Sequence, residues 1–336
     1  MVLIRRDLSL KRFNTFGIDV KASYFARAES IEEIVELLED HRHYFPFYVI
    51  GGGSNILFTK NFGGLILQPA IKGINIIDNG PEHCIVETGA GENWDDFVRW
   101  AVENNLGGIE NLSFIPGSTG SSPIQNIGAY GVEVKDVIER VNYLDLETLQ
   151  FFSLSNSECD FGYRSSIFKN KLKNRVIITS VVFKLLHHPV LNTAYGNLQE
   201  EINRMGRADL CTVRNAVISI RKLKLPDPEL TGNAGSFFKN PVIDAGSARE
   251  LKERYHNMPV FPVSDDRTKI PAGWLIEQCG WKGKRFGNAG VHDKQALVLI
   301  NCGNASGIEI MDLALKIKDS VFSQFGIKLE TEVNIL

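Results

Sequence analysis

The feature that most constrains the fold of this chain is residues 115–131, a segment of 17 residues without a charged side chain. It reads IPGSTGSSPIQNIGAYG, so its glycines are interspersed with hydroxyl and carboxamide side chains that donate hydrogen bonds without carrying charge. A flexible linker consists mostly of Gly and Ser, whereas this segment also carries Ile115, Ile124, Ile127 and Tyr130, which we expect to be buried. The pattern therefore predicts an ordered loop that offers neutral donors to a pyrophosphate or to the polar edge of a flat ring.

A second glycine-rich turn lies between predicted strands at residues 47–50 and 56–59. It consists of Gly51, Gly52, Gly53, Ser54 and Asn55. Glycine permits positive φ and close approach of the backbone, so successive N–H groups can form a nest for an anion. The turn matches neither the G-x-G-x-x-G fingerprint of a Rossmann fold nor a phosphate-binding loop ending in G-K-[ST]. Taken alone, it fits an ordinary tight turn at least as well as a ligand site.

Hydrophobic periodicity and capping signals predict an α+β chain of two or three domains, since 336 residues exceed one ordinary core. Two helices begin with a capping box, in which a serine is followed three residues later by a glutamate: Ser30 with Glu33, and Ser306 with Glu309. The predicted helices cover residues 30–40, 94–106, 211–222, 273–279 and 308–324. The predicted strands cover residues 47–50, 56–59, 65–67, 75–77, 84–88, 142–146, 175–186, 296–301 and 328–336.

Bulk composition argues against several classes of protein. A net charge of −3 and a pI of about 6.2 give no basic surface for a nucleic acid or a membrane. No run approaches the roughly 18 apolar residues of a spanning helix, and the start of the chain lacks the apolar region of a secretory signal, so we expect a cytoplasmic protein. The five cysteines form no C-x-x-C pair, so we expect buried free thiols and no metal site.

The two glycine-rich segments, at residues 51–55 and 115–131, together resemble the flavin-binding domain of the UDP-N-acetylenolpyruvylglucosamine reductase family. That family is part of the wider vanillyl-alcohol-oxidase-like group of FAD proteins, and the similarity runs from residues 14–17 to the last strand. It implies an α+β fold of α/β lobes, in which a two-lobe FAD-binding part of the p-cresol-methylhydroxylase (PCMH) type is followed by an α/β substrate domain. The implied divisions are FAD-binding lobes at residues 1–70 and 71–225, a substrate-binding C-terminal domain at 226–325, and a final strand at 326–336 returning to the flavin site.

The resemblance implies that both segments contact FAD. The implied contacts are Gly51, Gly52, Gly53, Ser54, Asn55, Pro116, Gly117, Ser118, Thr119, Gly120, Gln125, Asn126, Gly128, Ala129 and Tyr130. Members of the wider group that attach FAD covalently often use a His or Cys in these loops. Neither segment contains one, so we expect non-covalent FAD. NADPH is the implied reductant, a preference carried over from the family.

Three residues match the catalytic residues of the family. Ser236, within LTGNAGSFFKNP, matches the proton donor, whereas a serine beside glycine alone indicates a turn. Arg164, within YRSS, matches an arginine whose planar fork suits a substrate carboxylate, whereas a lone loop arginine is usually a solvated charge. Glu332 matches the catalytic glutamate, which polarises the enol ether or positions the arginine. Strand alternation places Glu330 on the same face, so spacing alone leaves both glutamates open.

Binding of the substrate phosphates is implied for Tyr195, Lys224 and Asn240, with Gln295 as a weaker match. The Tyr195 loop resembles that of type I members, in which a tyrosine loop closes over the UDP group. The ordinary alternatives are an edge-packed aromatic for Tyr195 and a solvated helix end for Lys224. One position departs from the pattern, because relatives often carry an arginine where this chain has Asn334, which leaves open how the last strand contacts the flavin.

The reaction implied by the resemblance is the NADPH-dependent reduction of UDP-N-acetylglucosamine enolpyruvate in bacterial cell-wall precursor synthesis. The expected partner is this small molecule, and the expected protein is a monomer. One alternative is an FAD-dependent oxidase of the same fold acting on a different substrate, which needs no lysine or tyrosine for a diphosphate. A second is a non-catalytic nucleotide-sugar binding protein, whose flavin loops would be broken.

Overall fold

The computed structural model describes residues 2–41 and 46–336, in which helices and strands alternate along the chain. The helices are α1 (Ile31–His41), α2 (Trp94–Glu103), α3 (Leu198–Met205), α4 (Leu210–Lys224), α5 (Ala245–Arg254), α6 (Ala272–Gln278) and α7 (Gly307–Phe325). The strands of the first half are β1 (Ile4–Ser9), β2 (Lys21–Ala28), β3 (Phe47–Val49), β4 (Ile56–Leu57), β5 (Phe62–Pro69), β6 (Ile74–Asn79), β7 (His83–Gly89), β8 (Gly128–Ala129), β9 (Val132–Glu133), β10 (Ile138–Asp145) and β11 (Phe151–Ser155). Those of the second half are β12 (Val176–Leu186), β13 (Gly232–Ser236), β14 (Val242–Asp244), β15 (Phe261–Ser264), β16 (Arg267–Lys269), β17 (Arg285–Phe286), β18 (Ala289–Val291), β19 (Val298–Asn301) and β20 (Asn334–Ile335).

The chain divides into two compact units. The first comprises residues 1–8, 22–53 and 62–223, and the second comprises residues 9–21, 54–61 and 224–336. In the first unit, one sheet has the order β1-β2-β5-β3, and β5 runs parallel to both β2 and β3. Helix α1 is amphipathic and buries Ile34, Leu37 and Leu38 in the same cluster as Leu65 and Leu67 of β5.

A second sheet of the first unit is antiparallel and has the order β11-β10-β12-β7-β6. Helix α2 covers it with an aromatic core, because Trp94, Phe97 and Phe183 have ring centroids 4.9 to 6.0 Å apart. Each of these side chains is at most 1% exposed, and burying one contributes roughly 1.5–3 kcal/mol. This core lies against the 115–131 segment, since Ile115 and Ile127 pack on the same cluster.

The second unit combines small sheets with helices. Its main sheet has the order β13-β19-β18-β17 and is antiparallel, and a smaller one has the order β14-β16-β15. Helix α7 buries the stripe of Ile310, Leu313 and Ile317 at helical spacing. The chain ends with β20 pairing in parallel with β4, so the last residues join a strand from residues 54–61 of the same unit.

Several predictions of local structure were wrong in detail. The final strand was predicted at residues 328–336, but only Asn334–Ile335 pairs as a strand, although Leu329 and Val333 are buried as the alternation indicated. Of the four residues expected to be buried in the 115–131 segment, Ile124 is 38% exposed and the other three are half-buried. Of the five thiols expected to be buried, Cys84 and Cys159 are buried, Cys279 and Cys302 are half-buried and Cys211 is exposed. Helices α3 and α5 were not predicted. None of the helices in the described part of the chain is both long and apolar enough to cross a membrane.

Candidate active site

The two glycine-rich segments lie in direct contact within the first unit. A Cβ atom on Gly51 would come within 2.7 Å of Ser118 Oγ, and one on Gly52 would lie 2.9 Å from Gly117 Cα. At Gly52 the close atoms are backbone, so glycine is required there by the approach of the second loop, whereas at Gly51 the hydroxyls of Ser118 and Ser121 would have to move. Strand β5 also holds the first turn, because Gln68 Nε2 donates a hydrogen bond to Gly51 O at 3.1 Å.

The second loop is held in place by the end of β7. Thr119 Oγ1 donates to Gly89 O at 2.6 Å, and the amide of Thr119 donates to Glu92 O at 2.9 Å. The amide of Gly120 donates to Ala90 O at 3.0 Å. Hydrogen bonds from both backbone and side chain therefore make residues 117–120 an ordered loop, as the sequence predicted, and not a linker.

Asn126 organises the second half of the 115–131 segment. It is fully buried with a left-handed φ of +45°, which asparagine tolerates better than most residues. Its Nδ2 donates to Glu133 Oε2 at 2.9 Å and to Gly162 O at 3.1 Å, and its Oδ1 accepts from the amide of Lys135 at 3.1 Å. The side chain thus joins the segment to β9 and to the turn before Arg164.

The guanidinium of Arg164 donates hydrogen bonds to the same segment. Its Nη2 donates to Gly128 O at 2.9 Å and its Nη1 to Asn126 O at 3.4 Å. The residue is half-buried and has a left-handed φ of +53°. Its guanidinium carbon Cζ lies 5.6 Å from the ring centroid of Tyr163. A non-glycine residue with positive φ stores strain, and such residues cluster at functional sites. Arg164 is therefore held against the predicted cofactor loop and is not a solvated surface charge.

Tyr195 lies beside Tyr130, the last aromatic residue of the segment. The two rings pack edge to face with centroids 6.1 Å apart, while 59% of Tyr195 remains exposed. Burial raises the pKa of Tyr130, and the nearby charge of Arg221 offsets part of that increase. Tyr195 thus combines an edge-packed ring with a largely solvent-exposed surface.

Ser236, in the second unit, ends strand β13 at a bulge. It lies opposite Val298 of β19, and the register shifts between Asn233 and Ser236. Gly235 has a φ of +68°, and its amide donates to Asn233 Oδ1 at 2.9 Å. Bulges re-aim side chains and are over-represented next to active sites. The local geometry is thus a built feature and not an ordinary turn.

Glu332 lies alongside this strand. Its amide donates to Phe237 O at 2.8 Å, and the amide of Lys239 donates to Glu330 O at 2.9 Å, so residues 237–239 and 330–332 run side by side. The side chain of Glu330 is 74% exposed and forms an ion pair with Lys239 Nζ at 3.0 Å. Glu332 is half-buried. The two glutamates therefore differ in their surroundings, and the backbone of Glu332 lies beside the residue that follows Ser236.

Asn334 and Asn55 are bonded to each other within the second unit. The amide and the Nδ2 of Asn334 donate to Asn55 O at 3.1 and 3.0 Å, and Asn55 Nδ2 donates to Glu332 O at 3.3 Å. The residue that departs from the family pattern therefore anchors the chain next to Glu332.

Asn240 and Gln295 both lie near the start of α6. Asn240 Oδ1 accepts from the amide of Ala272 at 2.9 Å. Gln295 Oε1 accepts from the amide of Leu297 at 3.4 Å and lies 3.1 Å from the position of a Cβ on Gly273. Lys224, the last residue of α4, is exposed. The structure thus groups Asn240 with Gln295 and leaves the ammonium of Lys224 in solvent.

Asp95, Arg214 and Arg221, which the sequence did not single out, support Phe114, the residue that precedes the 115–131 segment. Phe114 has a φ of +59°; its amide donates to Asp95 Oδ1 at 2.5 Å, and its carbonyl accepts from Arg221 Nε at 3.0 Å. Asp95 also forms a bidentate pair with Arg214, at 2.6 and 2.9 Å. Burial raises the pKa of Asp95, but the hydrogen bonds from Arg214 and Phe114, with the charge of Arg214, outweigh it and hold that pKa below its usual range. The helical spacing of α2 and α4 could not pair these residues, which are 119 positions apart.

Two touching glycine loops without a Rossmann fingerprint, fixed on an α+β scaffold, are typical of flavin-binding oxidoreductases of the PCMH type. A family model described as an FAD-binding domain matches residues 22–148, which include both loops. The crystal structure of p-cresol methylhydroxylase with substrate bound has the same fold, with a TM-score of 0.51 and 13% identity over 96% of this chain and 83% of that one. The fold class predicted from the sequence is thereby confirmed.

The C-terminal part and the full-length relatives narrow the class to one family. A family model described as the UDP-N-acetylenolpyruvoylglucosamine reductase C-terminal domain matches residues 227–336. A UDP-N-acetylenolpyruvoylglucosamine reductase of Flavobacterium johnsoniae is 47% identical, over 99% of both chains. The crystal structure of the reductase from Thermus caldophilus covers 100% of this chain and 99% of its own, with a TM-score of 0.71 and 23% identity. The chain belongs to the UDP-N-acetylenolpyruvoylglucosamine reductase family, which confirms the predicted resemblance.

Proposed function

We propose that this chain catalyses the NADPH-dependent reduction of UDP-N-acetylglucosamine enolpyruvate to UDP-N-acetylmuramate, using non-covalently bound FAD, in peptidoglycan precursor synthesis. The observation that carries the proposal is 47% identity over 99% of both chains to a relative named for this activity. The backbone bond between Glu332 and Phe237 supports it, because Ser236 and Glu332 then lie on neighbouring segments.

The two glycine loops are the proposed FAD site. The contact of Gly51 and Gly52 with Ser118 and Gly117 forms a surface of backbone and hydroxyl groups that side chains would block. It fits a cofactor with a pyrophosphate, since neutral donors can surround the phosphates closely. The proposed contacts are those predicted from the sequence, at residues 51–55, 116–120, 125, 126 and 128–130. Held by these loops, FAD would supply the hydride-transfer chemistry between NADPH and the double bond of the enol ether.

The chain supplies the charge and the proton. Arg164 binds the substrate carboxylate with its planar guanidinium, which stabilises negative charge that spreads into that carboxylate. Ser236 donates its hydroxyl proton to the carbon that bears the carboxylate. Glu332 polarises the enol ether, and its carboxylate is assigned this role because Glu330 is engaged with Lys239 at the surface.

The phosphates of the substrate are assigned to Tyr195, Lys224, Asn240 and Gln295. Lys224 is exposed and can bring a positive charge, while the exposed surface of Tyr195 can donate its hydroxyl. Asn240 and Gln295 are grouped at the start of α6, and their Nδ2 and Nε2 groups are donors suited to a polar ligand.

The proposed function also implies a domain organisation, an oligomeric state and a location. The proposed FAD-binding lobes are residues 1–70 and 71–225, the proposed substrate-binding domain is residues 226–325, and residues 326–336 form the final segment. The protein acts as a monomer in the cytoplasm, where both NADPH and the sugar nucleotide are available to it.

The proposal is tested with the purified holoenzyme, NADPH and UDP-N-acetylglucosamine enolpyruvate under nitrogen. We expect NADPH oxidation that depends on the sugar nucleotide, together with a product that has gained two hydrogens by mass spectrometry. NADPH oxidation that requires oxygen and leaves the sugar nucleotide unchanged would contradict the substrate and favour an oxidase of the same fold.

A further inference from the structure

Asn111 is a fully buried carboxamide in the first unit, and its NH2 group bonds two separate backbone carbonyls. The residue lies in a short turn of 3-10 helix, Glu110–Leu112, and has 0% exposure. Its Nδ2 donates to Tyr130 O at 2.9 Å and to Asn192 O at 2.7 Å. Its Oδ1 has no hydrogen-bond partner among the described residues, so the fold uses the donor end of this side chain.

The two carbonyls belong to two different loops. Tyr130, at a φ of +49°, ends the proposed FAD segment, and Asn192 lies three residues before Tyr195 in the loop between β12 and α3. A second bond joins the same loops, because Asn192 Nδ2 donates to Gly131 O at 3.1 Å. The edge-to-face packing of Tyr130 on Tyr195, at 6.1 Å, is the third tie. Asn111 is the buried member of this set and the one that bonds both loops at once.

We propose that Asn111 is a positioning residue that holds the Tyr195 loop against the end of the FAD segment, so that the sugar nucleotide meets a loop already ordered. The inference rests on the proposed function, because it assigns Tyr195 to the substrate. Two carbonyls of different loops, both drawn to one NH2 group, cannot separate without leaving buried donors unbonded. Holding the loop in this way removes ordering entropy that substrate binding would otherwise have to overcome.

Replacement of Asn111 therefore acts on substrate affinity and not on the chemical step. In Asn111→Ala we expect the KM for UDP-N-acetylglucosamine enolpyruvate to rise about tenfold or more, with kcat within about threefold of wild type. The flavin absorbance spectrum should remain that of the wild-type holoenzyme. A merely structural residue would instead lower the amount of folded, flavin-loaded enzyme without separating KM from kcat.

Asn156 provides a matched control, since it also donates two hydrogen bonds from Nδ2 to backbone carbonyls. They reach Lys135 O and Ile138 O, both at 2.7 Å, away from the Tyr195 loop. Asn156→Ala should leave the KM for the sugar nucleotide within about twofold. A rise in KM of equal size in both variants would overturn the inference, because loss of any buried amide would then suffice.

A double-mutant cycle with Tyr195→Ala tests whether Asn111 acts through that loop. We expect Asn111→Ala to add less than about threefold to KM in the Tyr195→Ala background, because residues that act as a unit are not additive. A full tenfold effect in that background would overturn the inference.

Asn192→Ala is a second variant in case Asn111→Ala does not fold. It removes the exposed bond from the Tyr195 loop to Gly131 and should raise KM about threefold or more at unchanged kcat. No change in KM for Asn192→Ala, with a wild-type enzyme that turns over the sugar nucleotide, would overturn the proposed coupling. A wild-type enzyme that does not turn over this substrate would instead contradict the proposed function itself.

Discussion

The backbone amide of Glu332 donates a hydrogen bond of 2.8 Å to the carbonyl of Phe237, the residue that follows Ser236 in the chain. This bond joins two segments almost a hundred residues apart and places the assigned glutamate on the segment beside the end of β13, which carries the assigned acid. Phe237 is fully buried and packs 6.3 Å from Phe16 and 5.1 Å from Phe238, so the backbone on which both residues depend is rigid. A rigid support is what a proton donor needs, because small displacements slow proton transfer.

Ser236→Ala should abolish turnover while leaving the first half of the reaction intact. Loss of a general acid lowers kcat about 1,000-fold, and the rate of flavin reduction by NADPH should stay near wild type. Stopped-flow absorbance measures the two steps separately. Ser320→Ala, which removes an exposed hydroxyl bonded to Lys316 O, is the control and should be fully active. A Ser236→Ala enzyme with normal kcat would remove serine from the mechanism.

The two glutamates of the last segment should differ sharply. Glu332→Gln should lower kcat about 100-fold, because the charge of a catalytic carboxylate is lost. Glu330→Gln removes only an exposed ion pair with Lys239 and should change kcat by less than about threefold. Steady-state kinetics measures kcat for both variants. A larger loss of kcat in Glu330→Gln than in Glu332→Gln would show that the wrong glutamate was assigned.

Gly52→Ala should weaken FAD binding. The new methyl group would lie 2.9 Å from Gly117 Cα, so the two loops must separate. We expect the Kd for FAD to rise about tenfold or more, since a shift of backbone at a phosphate-binding loop loses several hydrogen bonds. Fluorescence titration of the apoprotein measures it. Gly63→Ala, where a Cβ meets nothing within 4 Å, should bind FAD normally, and equal affinity in both variants would place FAD elsewhere.

Asp95→Asn should destabilise the first unit by about 2 kcal/mol, because the bidentate bonds to Arg214 lose their charge. Asp96→Asn breaks an ion pair with Arg99 that is more than half exposed, and should cost less than about 0.5 kcal/mol. Urea denaturation followed by tryptophan fluorescence compares the two. Equal losses would show that the Arg214 pair contributes no more than a surface pair.

The same pair gives a pH dependence of defined sign. The folded-state pKa of Asp95 lies below the unfolded value of about 3.9, so its stabilising contribution is fully present above that pH. It disappears as the pH falls through the folded pKa, where the carboxylate becomes protonated. The stability difference between wild type and Asp95→Asn should therefore be constant near neutrality and shrink below about pH 4. A difference that grows on acidification would contradict this sign.

Elements with strong local signals could be predicted closely from the sequence. Helix α7 was predicted at residues 308–324 and spans Gly307–Phe325, with both bonds of the Ser306–Glu309 capping box formed. Strand β12, predicted at residues 175–186, spans Val176–Leu186. In both cases the signal is local, since a cap or a long apolar run is sufficient to define the element.

Elements that depend on a distant partner could not be predicted. Helix α3 has a polar composition, and only Leu198 and Ile202 bury against α4. The final segment alternates like a long strand, but its partners are residues 237–239 and β4, which pair with it over short stretches. At the site, the different surroundings of Glu330 and Glu332 depend on Lys239, and the support of Phe114 depends on Asp95 and Arg221.

The most direct test of the central claim is an anaerobic absorbance experiment on the purified enzyme. The flavin band should be bleached by NADPH and then return within seconds when UDP-N-acetylglucosamine enolpyruvate is added. That return would establish both half-reactions with the proposed reductant and substrate. A flavin that NADPH bleaches, but whose colour only oxygen restores, would leave the fold intact and contradict the proposed substrate.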